Sequence, residues 1–156
     1  AKDLGIKVQP QNLRKLIDLG IKVINAVNGQ IKVKHPENPD INEIFLAQIY
    51  DNPKHPEADA KNVVVTRGGQ NDRSPCGTGT SARMATLYSK GKLGLNENFV
   101  NESIIGTIFT GKLVSKTKVG EFDAVLTEIT GSAYITGIST FVSHPHDPLK
   151  MGFLLS

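Results

Sequence analysis

A single turn around the only cysteine constrains this chain most, because it joins a buried strand directly to the start of a helix. The turn reads Asp72-Arg73-Ser74-Pro75-Cys76-Gly77-Thr78-Gly79-Thr80. The three valines at 63–65 predict a buried strand before it, and residues 76–90 predict a helix after it. Glycines and a proline between the two segments are typical of a tight connection. Cys76 is therefore expected at the N-terminus of a helix.

A thiol in that position combines two chemical features. It lies at the positive end of the helix dipole, about +0.5 charge, next to backbone N–H groups that lack helical partners. Such a position lowers a cysteine pKa from about 8.5 toward about 3.5–7.5. The N–H groups of Gly77 and Thr78 are suited to hold a carboxylate. The turn thus predicts a proton-transfer group beside an anion site, whereas the alternative for a lone cysteine is a small buried hydrophobic residue.

Asp72 lies four residues before the cysteine, on the same turn. As a functional residue it would pair with a substrate ammonium while the helix amides hold the substrate carboxylate. As a structural residue it would be a turn or capping aspartate, which is common. The residues alone leave both interpretations open.

The composition describes an ordinary globular chain. Its 156 residues, 38% hydrophobic and 21% charged, predict one domain or a large piece of a longer protein. One cysteine cannot form an internal disulfide, and no signal-peptide pattern or apolar run of about 18 residues is visible, so a cytoplasmic location without a membrane partner is expected. The net charge of +3 comes from scattered lysines with few aromatics, which argues against a nucleic-acid partner. His144 and His146 lack a nearby cysteine or carboxylate cluster, so no metal is predicted.

The pattern along the chain predicts an α+β fold. Apolar residues recur at helical spacing from Leu13 to about Asn28, and a second helix is predicted at 76–90. Strands are predicted at 44–50, 62–67, 99–105, 107–114, 122–129 and 132–142. We expect a mostly antiparallel sheet that wraps around the second, small-residue helix as its central helix.

These residues resemble a known family. The Asp72-to-Thr80 turn is similar to the second cysteine motif of the proline racemase family, which includes 4-hydroxyproline epimerases. The likeness continues through Tyr50-Asp51, His55-Pro56-Glu57-Ala58, Ile129-Thr130-Gly131-Ser132-Ala133-Tyr134-Ile135-Thr136-Gly137 and Asp147-Pro148-Leu149-Lys150, and it covers essentially the whole chain. The resemblance implies one half of a two-domain fold like that of diaminopimelate epimerase.

The resemblance also implies a mechanism and a set of site residues. One cysteine thiolate removes the α-proton of an imino acid, and a second cysteine returns a proton on the opposite face, without any cofactor or metal. By match to the motif, Cys76 is one of these cysteines and Asp72 contacts the substrate amine. Gly77 and Thr78 would bind the substrate carboxylate through their backbone amides.

Two departures from the family pattern matter. The first cysteine motif is absent, so residues 1–156 are expected to be the carboxyl-terminal portion of a two-domain racemase that is inactive without its amino-terminal half. A homodimer is also compatible with the resemblance. Thr66 stands where proline racemases tend to carry a phenylalanine against the substrate ring, which leaves room for a hydroxyl substituent. Trans-3-hydroxyproline dehydratases, which have threonine at the second cysteine position, are disfavoured by Cys76.

Four functions follow as hypotheses. The first is racemisation of proline, and its closest alternative is epimerisation of 4-hydroxyproline at C2. A third, of another class, is a non-catalytic half-domain that binds a small carboxylate or another protein. The fourth is a hydrolase or transferase that uses Cys76 as a nucleophile.

Overall fold

Two α-helices lie against one five-stranded sheet in the computed structural model, which describes residues 1–154 and also has two short 3-10 helices, Lys2–Leu4 and Pro10–Asn12. The helices are α1 (Leu13–Gln30) and α2 (Gly77–Ser89), and the strands are β1 (Leu46–Asp51), β2 (Ala60–Thr66), β3 (Asn98–Glu102), β4 (Ile108–Val119) and β5 (Phe122–Thr130). The strands lie side by side in chain order, and every pairing is antiparallel except that of β2 with β3. The predicted α+β fold with a mostly antiparallel sheet is confirmed.

Strand β2 separates the two helices. Successive strand side chains point to opposite faces of a sheet, and consecutive valines of β2 contact different helices. A Cβ placed on Gly20 of α1 would lie 2.9 Å from Cβ of Val65, whereas a Cβ placed on Gly79 of α2 would lie 2.8 Å from Cγ2 of Val64. Both helices therefore approach β2 closely only because glycine stands at the contact.

A separate apolar cluster lies beneath each helix. The α1 cluster contains Val8, Leu16, Ile49, Val63 and Ile104, and the α2 cluster contains Ala60, Met84, Leu93, Phe99 and Leu113. In α1 the buried positions Leu16, Gly20 and Ile24 recur every four residues, as the predicted amphipathic pattern requires. Within residues 1–154, no helix is both long and apolar enough to cross a membrane.

A buried ion pair joins β2 to β3, where the parallel pairing is only two residues long. Lys61 Nζ lies 2.6 Å from Glu102 Oε1, and both side chains are at most 5% exposed. Glu102 Oε2 also accepts hydrogen bonds from the backbone N–H groups of Lys54 at 2.6 Å and His55 at 3.0 Å. Burial raises the pKa of Glu102, but the Lys61 bond and the two N–H groups outweigh it, so the pKa lies below its ordinary value.

The strand predicted at 132–142 is wrong. The structure has no regular element in that segment, and its side chains are exposed, with Tyr134 at 88%, Ile135 at 92% and Ile138 at 96%. The β-branched residues of this segment give it a local preference for extended backbone. A strand also needs a neighbouring strand to accept and donate its backbone hydrogen bonds. Within the described residues, this segment does not pair with the free edge of β5.

Candidate active site

Cys76 is the N-cap residue of α2, as the sequence predicts. Its φ of 65° and ψ of 116° are unusual for a residue other than glycine. Such a conformation costs about 1–3 kcal/mol and persists only where surrounding contacts hold it. The sulfur accepts a hydrogen bond from the backbone N–H of Gly79 at 3.3 Å, and the residue is 8% exposed. The thiol is thus a buried helix cap held in a strained backbone.

Ser74 connects Asp72 to Cys76. The N–H and hydroxyl of Ser74 donate to Asp72 Oδ1 at 2.9 and 2.8 Å, and Ser74 Oγ accepts from the Cys76 N–H at 3.0 Å. Asp72 is itself anchored to β2, because its N–H donates to the Val64 carbonyl at 2.9 Å. Ser74 was not predicted from the sequence, although an aspartate followed two residues later by a serine is typical of such side-chain turns.

The predicted lowering of the Cys76 pKa is wrong for this structure. Burial raises the pKa of the Cys76 thiol, and the N–H groups of Gly79 and Thr78 lower it. The carboxylate of Asp72 raises it further, so the net pKa lies above the ordinary value. The helix N-terminus acts in the expected direction, but loss of water around the sulfur and a nearby negative charge are stronger. Cys76 therefore carries its proton at neutral pH.

The first two residues of α2 present backbone N–H groups next to the thiol. The first helical hydrogen bond runs from the Thr80 N–H to the Cys76 carbonyl at 2.9 Å, so the N–H groups of Gly77 and Thr78 precede it and no carbonyl of α2 accepts from them. A Cβ placed on Gly77 would meet no heavy atom within 4 Å. An anion therefore has both donors and open space at this end of the helix.

Thr66 lies at the carboxyl end of β2, where strand alternation places it on the same face as Val64. Its hydroxyl donates to Gln70 Oε1 at 2.8 Å and accepts from the Gln70 N–H at 3.1 Å. The hydroxyl is thus engaged by the loop that follows β2. Its contact with a substrate ring stays a prediction.

An open depression of about 760 Å³ lies beside the Asp72 turn. Asp72 and Ser74 form one wall, and Thr107, Phe109 and Tyr134 are among the residues on the others. Cys76 is not among the lining residues, so of the predicted site residues only Asp72 borders this depression.

The histidines do not join this site. His144 and His146 lie in the exposed segment after β5, with ring centroids 5.5 Å apart. Among residues 1–154, no group of three or more histidine, cysteine, aspartate or glutamate side chains is arranged to hold a metal ion.

Comparisons with known proteins agree on one family. The family model described as "Proline racemase" matches residues 1–154. The proline racemase of Acetoanaerobium sticklandii is 56% identical over 153 residues, which cover 98% of this chain and 46% of the relative. That of Clostridioides difficile is 54% identical over 155 residues, covering 99% and 46%. A crystal structure of a hydroxyproline epimerase from Agrobacterium vitis, with bound trans-4-hydroxy-L-proline, is 36% identical with a TM-score of 0.79 and covers 97% of this chain and 43% of that one. The chain thus spans about half the length of the curated relatives that it matches.

Proposed function

This chain belongs to the proline racemase family, and from that premise we propose that it supplies one of the two proton-transfer residues of a proline racemase. The observation that carries the proposal is the single turn on which a capped thiol, a carboxylate and two helix N–H groups lie together. Cys76 is the proton-transfer residue. Asp72, Gly77 and Thr78 bind the substrate.

The two charges of an imino acid match the two polar groups of the turn. Its carboxylate accepts hydrogen bonds from the N–H groups of Gly77 and Thr78, at the positive end of α2. Its ammonium pairs with the carboxylate of Asp72. The α-carbon, bonded to both groups, then faces the turn that carries Cys76.

The protonation state of Cys76 sets its part in the reaction. With its pKa above the ordinary value, the thiol begins as a proton donor. A substrate ammonium beside Asp72 offsets the negative charge that helps to raise the Cys76 pKa. Substrate binding thereby lowers the Cys76 pKa. Cys76 can then donate a proton to the substrate in one direction and accept one in the reverse direction.

Inversion at carbon needs two such groups, one on each face of the planar carbanion. This chain has one cysteine. We propose that the second acid–base cysteine lies in an amino-terminal portion that the curated relatives possess beyond the matched half. The chain alone is then expected to bind an imino acid without inverting it.

The test is complementation in deuterated water. The chain is mixed with the amino-terminal half of the A. sticklandii relative and L-proline, and both optical rotation and α-deuterium are followed. The positive control is that same half mixed with the relative's own carboxyl-terminal half. Inversion with deuterium uptake that disappears in Cys76→Ser supports the proposal. Equal turnover by Cys76→Ser, or calorimetric binding of proline without deuterium uptake while the control is active, refutes it and favours the non-catalytic binding domain.

A second candidate is 4-hydroxyproline 2-epimerase, favoured by Thr66 and by the A. vitis structure, whose bound molecule is trans-4-hydroxy-L-proline. The same mixture separates the two candidates through kcat/KM for L-proline and for trans-4-hydroxy-L-proline. A higher value for the hydroxylated substrate would assign the epimerase. A higher value for proline would leave the racemase.

A further inference from the structure

Three buried donors converge on the carbonyl oxygen of Pro75, the residue directly before Cys76. Asn62 Nδ2 donates to it at 3.0 Å, Thr80 Oγ1 at 3.2 Å and Asn101 Nδ2 at 3.3 Å. The donors come from β2, α2 and β3, and each of these residues is at most 1% exposed. The peptide that leads into the strained cysteine is therefore held from two strands and one helix.

The number of donors exceeds what this oxygen needs. A carbonyl oxygen has two lone pairs, so two donors already satisfy it. Asn101 Nδ2 also donates to Thr80 Oγ1 at 2.9 Å, which links two of the three donors to each other. The third donor is not needed to satisfy the buried oxygen, and it further restricts where the Pro75 carbonyl can lie.

The arrangement also leaves polar atoms without partners. Oδ1 of Asn62 and Oδ1 of Asn101 are buried with no hydrogen-bond partner among the described residues. An unpaired buried acceptor is unfavourable, and an apolar side chain of similar shape would avoid it. The three positions directly after Asn62 on β2 are valines, so this strand accommodates apolar residues readily. Fold stability alone does not account for two amides here.

We propose that Asn62, Asn101 and Thr80 are positioning residues that hold the Pro75–Cys76 peptide so that Cys76 keeps its positive φ and its sulfur stays on the Gly79 N–H. The inference rests on the proposed function in one respect, because the role served is proton transfer by Cys76. The three residues act through the peptide, without touching the substrate.

The test uses the single cysteine of the chain as its own reporter. Because the 156-residue chain has one cysteine, the rate of alkylation by iodoacetamide measured against pH gives the titration midpoint of Cys76 alone. Thr80→Val keeps the side-chain volume and removes the hydroxyl donor. In the wild type, the hydrogen bond from the Gly79 N–H to the sulfur lowers the Cys76 pKa. We expect Thr80→Val to leave the cysteine buried but to weaken this hydrogen bond. We expect the midpoint to rise by about 0.5 unit or more.

Two matched variants control this measurement. Thr80→Ser retains the hydroxyl and should restore the wild-type midpoint. Thr86→Val removes a hydroxyl from the same helix, where Oγ1 donates only to the exposed Ala82 carbonyl at 2.8 Å, and should leave the midpoint unchanged. An unchanged or lowered midpoint in Thr80→Val, or an equal shift in Thr86→Val, overturns the proposal. Global destabilisation changes the urea midpoint without moving the titration of the folded chain.

Asn62→Leu gives an independent test should Thr80→Val fail to fold. Leucine resembles asparagine in shape, removes the unpaired Oδ1 and leaves the Pro75 oxygen with two donors. The urea midpoint should be no lower than that of the wild type, while the Cys76 midpoint rises. A lower urea midpoint with an unchanged Cys76 titration would assign the amide to the fold and overturn the proposal.

The titration involves no substrate, so the two proposals fail separately. A shifted midpoint together with an inactive wild-type mixture and an active positive control would keep the positioning role and reject the racemase. An active wild-type mixture with unshifted midpoints would reject the positioning role alone.

Discussion

Gly79 is the position where one added methyl group tests the packing of the site. A Cβ there would lie 2.8 Å from Val64 Cγ2, 3.3 Å from Gln48 Nε2 and 3.4 Å from Cys76 Cβ. Val64 belongs to the buried inner strand β2 and is 3% exposed, so its γ-carbon has little freedom to move away. Gly79→Ala is therefore expected to push the first turn of α2 off the sheet.

The magnitude follows from two opposing contributions. Overpacking a well-filled site costs about 1–3 kcal/mol, and replacing glycine by alanine in a helix returns up to about 1 kcal/mol. Gly77→Ala is the matched control, because its added Cβ would meet nothing within 4 Å. Since both variants share the helical gain, Gly79→Ala should be less stable than Gly77→Ala by about 1–3 kcal/mol.

Urea unfolding followed by circular dichroism measures the free energy of unfolding of both variants. Iodoacetamide labelling provides a second readout, because displacement of the first turn exposes the sulfur and speeds the reaction in Gly79→Ala. Equal stabilities, or a Gly79→Ala chain more stable than its control, would show that the Val64 contact does not limit how closely α2 approaches the sheet.

Four further predictions concern charge and the substrate ring. Glu102→Gln should lower the free energy of unfolding at pH 7 by about 3 kcal/mol, because it leaves Lys61 buried without its partner. An unchanged melting temperature in calorimetry would contradict this prediction. Since the Glu102 pKa is lowered on folding, its contribution is present above the ordinary value of 4.5 and is lost as the pH falls through the folded value, so wild type should lose more stability than Glu102→Gln on acidification below 4.5. Asp72→Asn should lower the Cys76 pKa and speed its alkylation at pH 8, while exposed Asp123→Asn should not; equal rates would refute the charge effect. Thr66→Phe should shift kcat/KM toward proline over 4-hydroxyproline by about tenfold, roughly 1.4 kcal/mol, and an unchanged ratio would remove Thr66 from the ring contact.

Local patterns in the sequence predicted most elements of this fold. Apolar residues at helical spacing from Leu13 onward predicted α1, and the glycine–proline connection placed Cys76 at the cap of α2, as observed. These features depend on residues within a few positions of one another. The strand at 132–142 failed because a strand is completed by a neighbour, which composition does not reveal.

The electrostatics of the site depended on tertiary structure. The direction of the Cys76 pKa follows from how deeply the sulfur is buried, and no local pattern reports that depth. Asn62 and Asn101 both donate to the Pro75 carbonyl oxygen, although they lie on different strands and far apart in the chain. A usable signal was present, since each asparagine adjoins valine in its strand, Val63 for Asn62 and Val100 for Asn101. Only the three-dimensional arrangement shows that both amides point at one oxygen.

The uncovered segment after β5 has a practical consequence for handling the chain in solution. Tyr134, Ile135, Ile138, Phe141 and Val142 are 88–96% exposed within a few residues of one another. Short, weakly charged stretches of this composition promote self-association through intermolecular strands. A purified sample is expected to bind hydrophobic dyes and to aggregate as its concentration rises. Ile135→Lys or Ile138→Lys should delay that aggregation without altering the folded sheet.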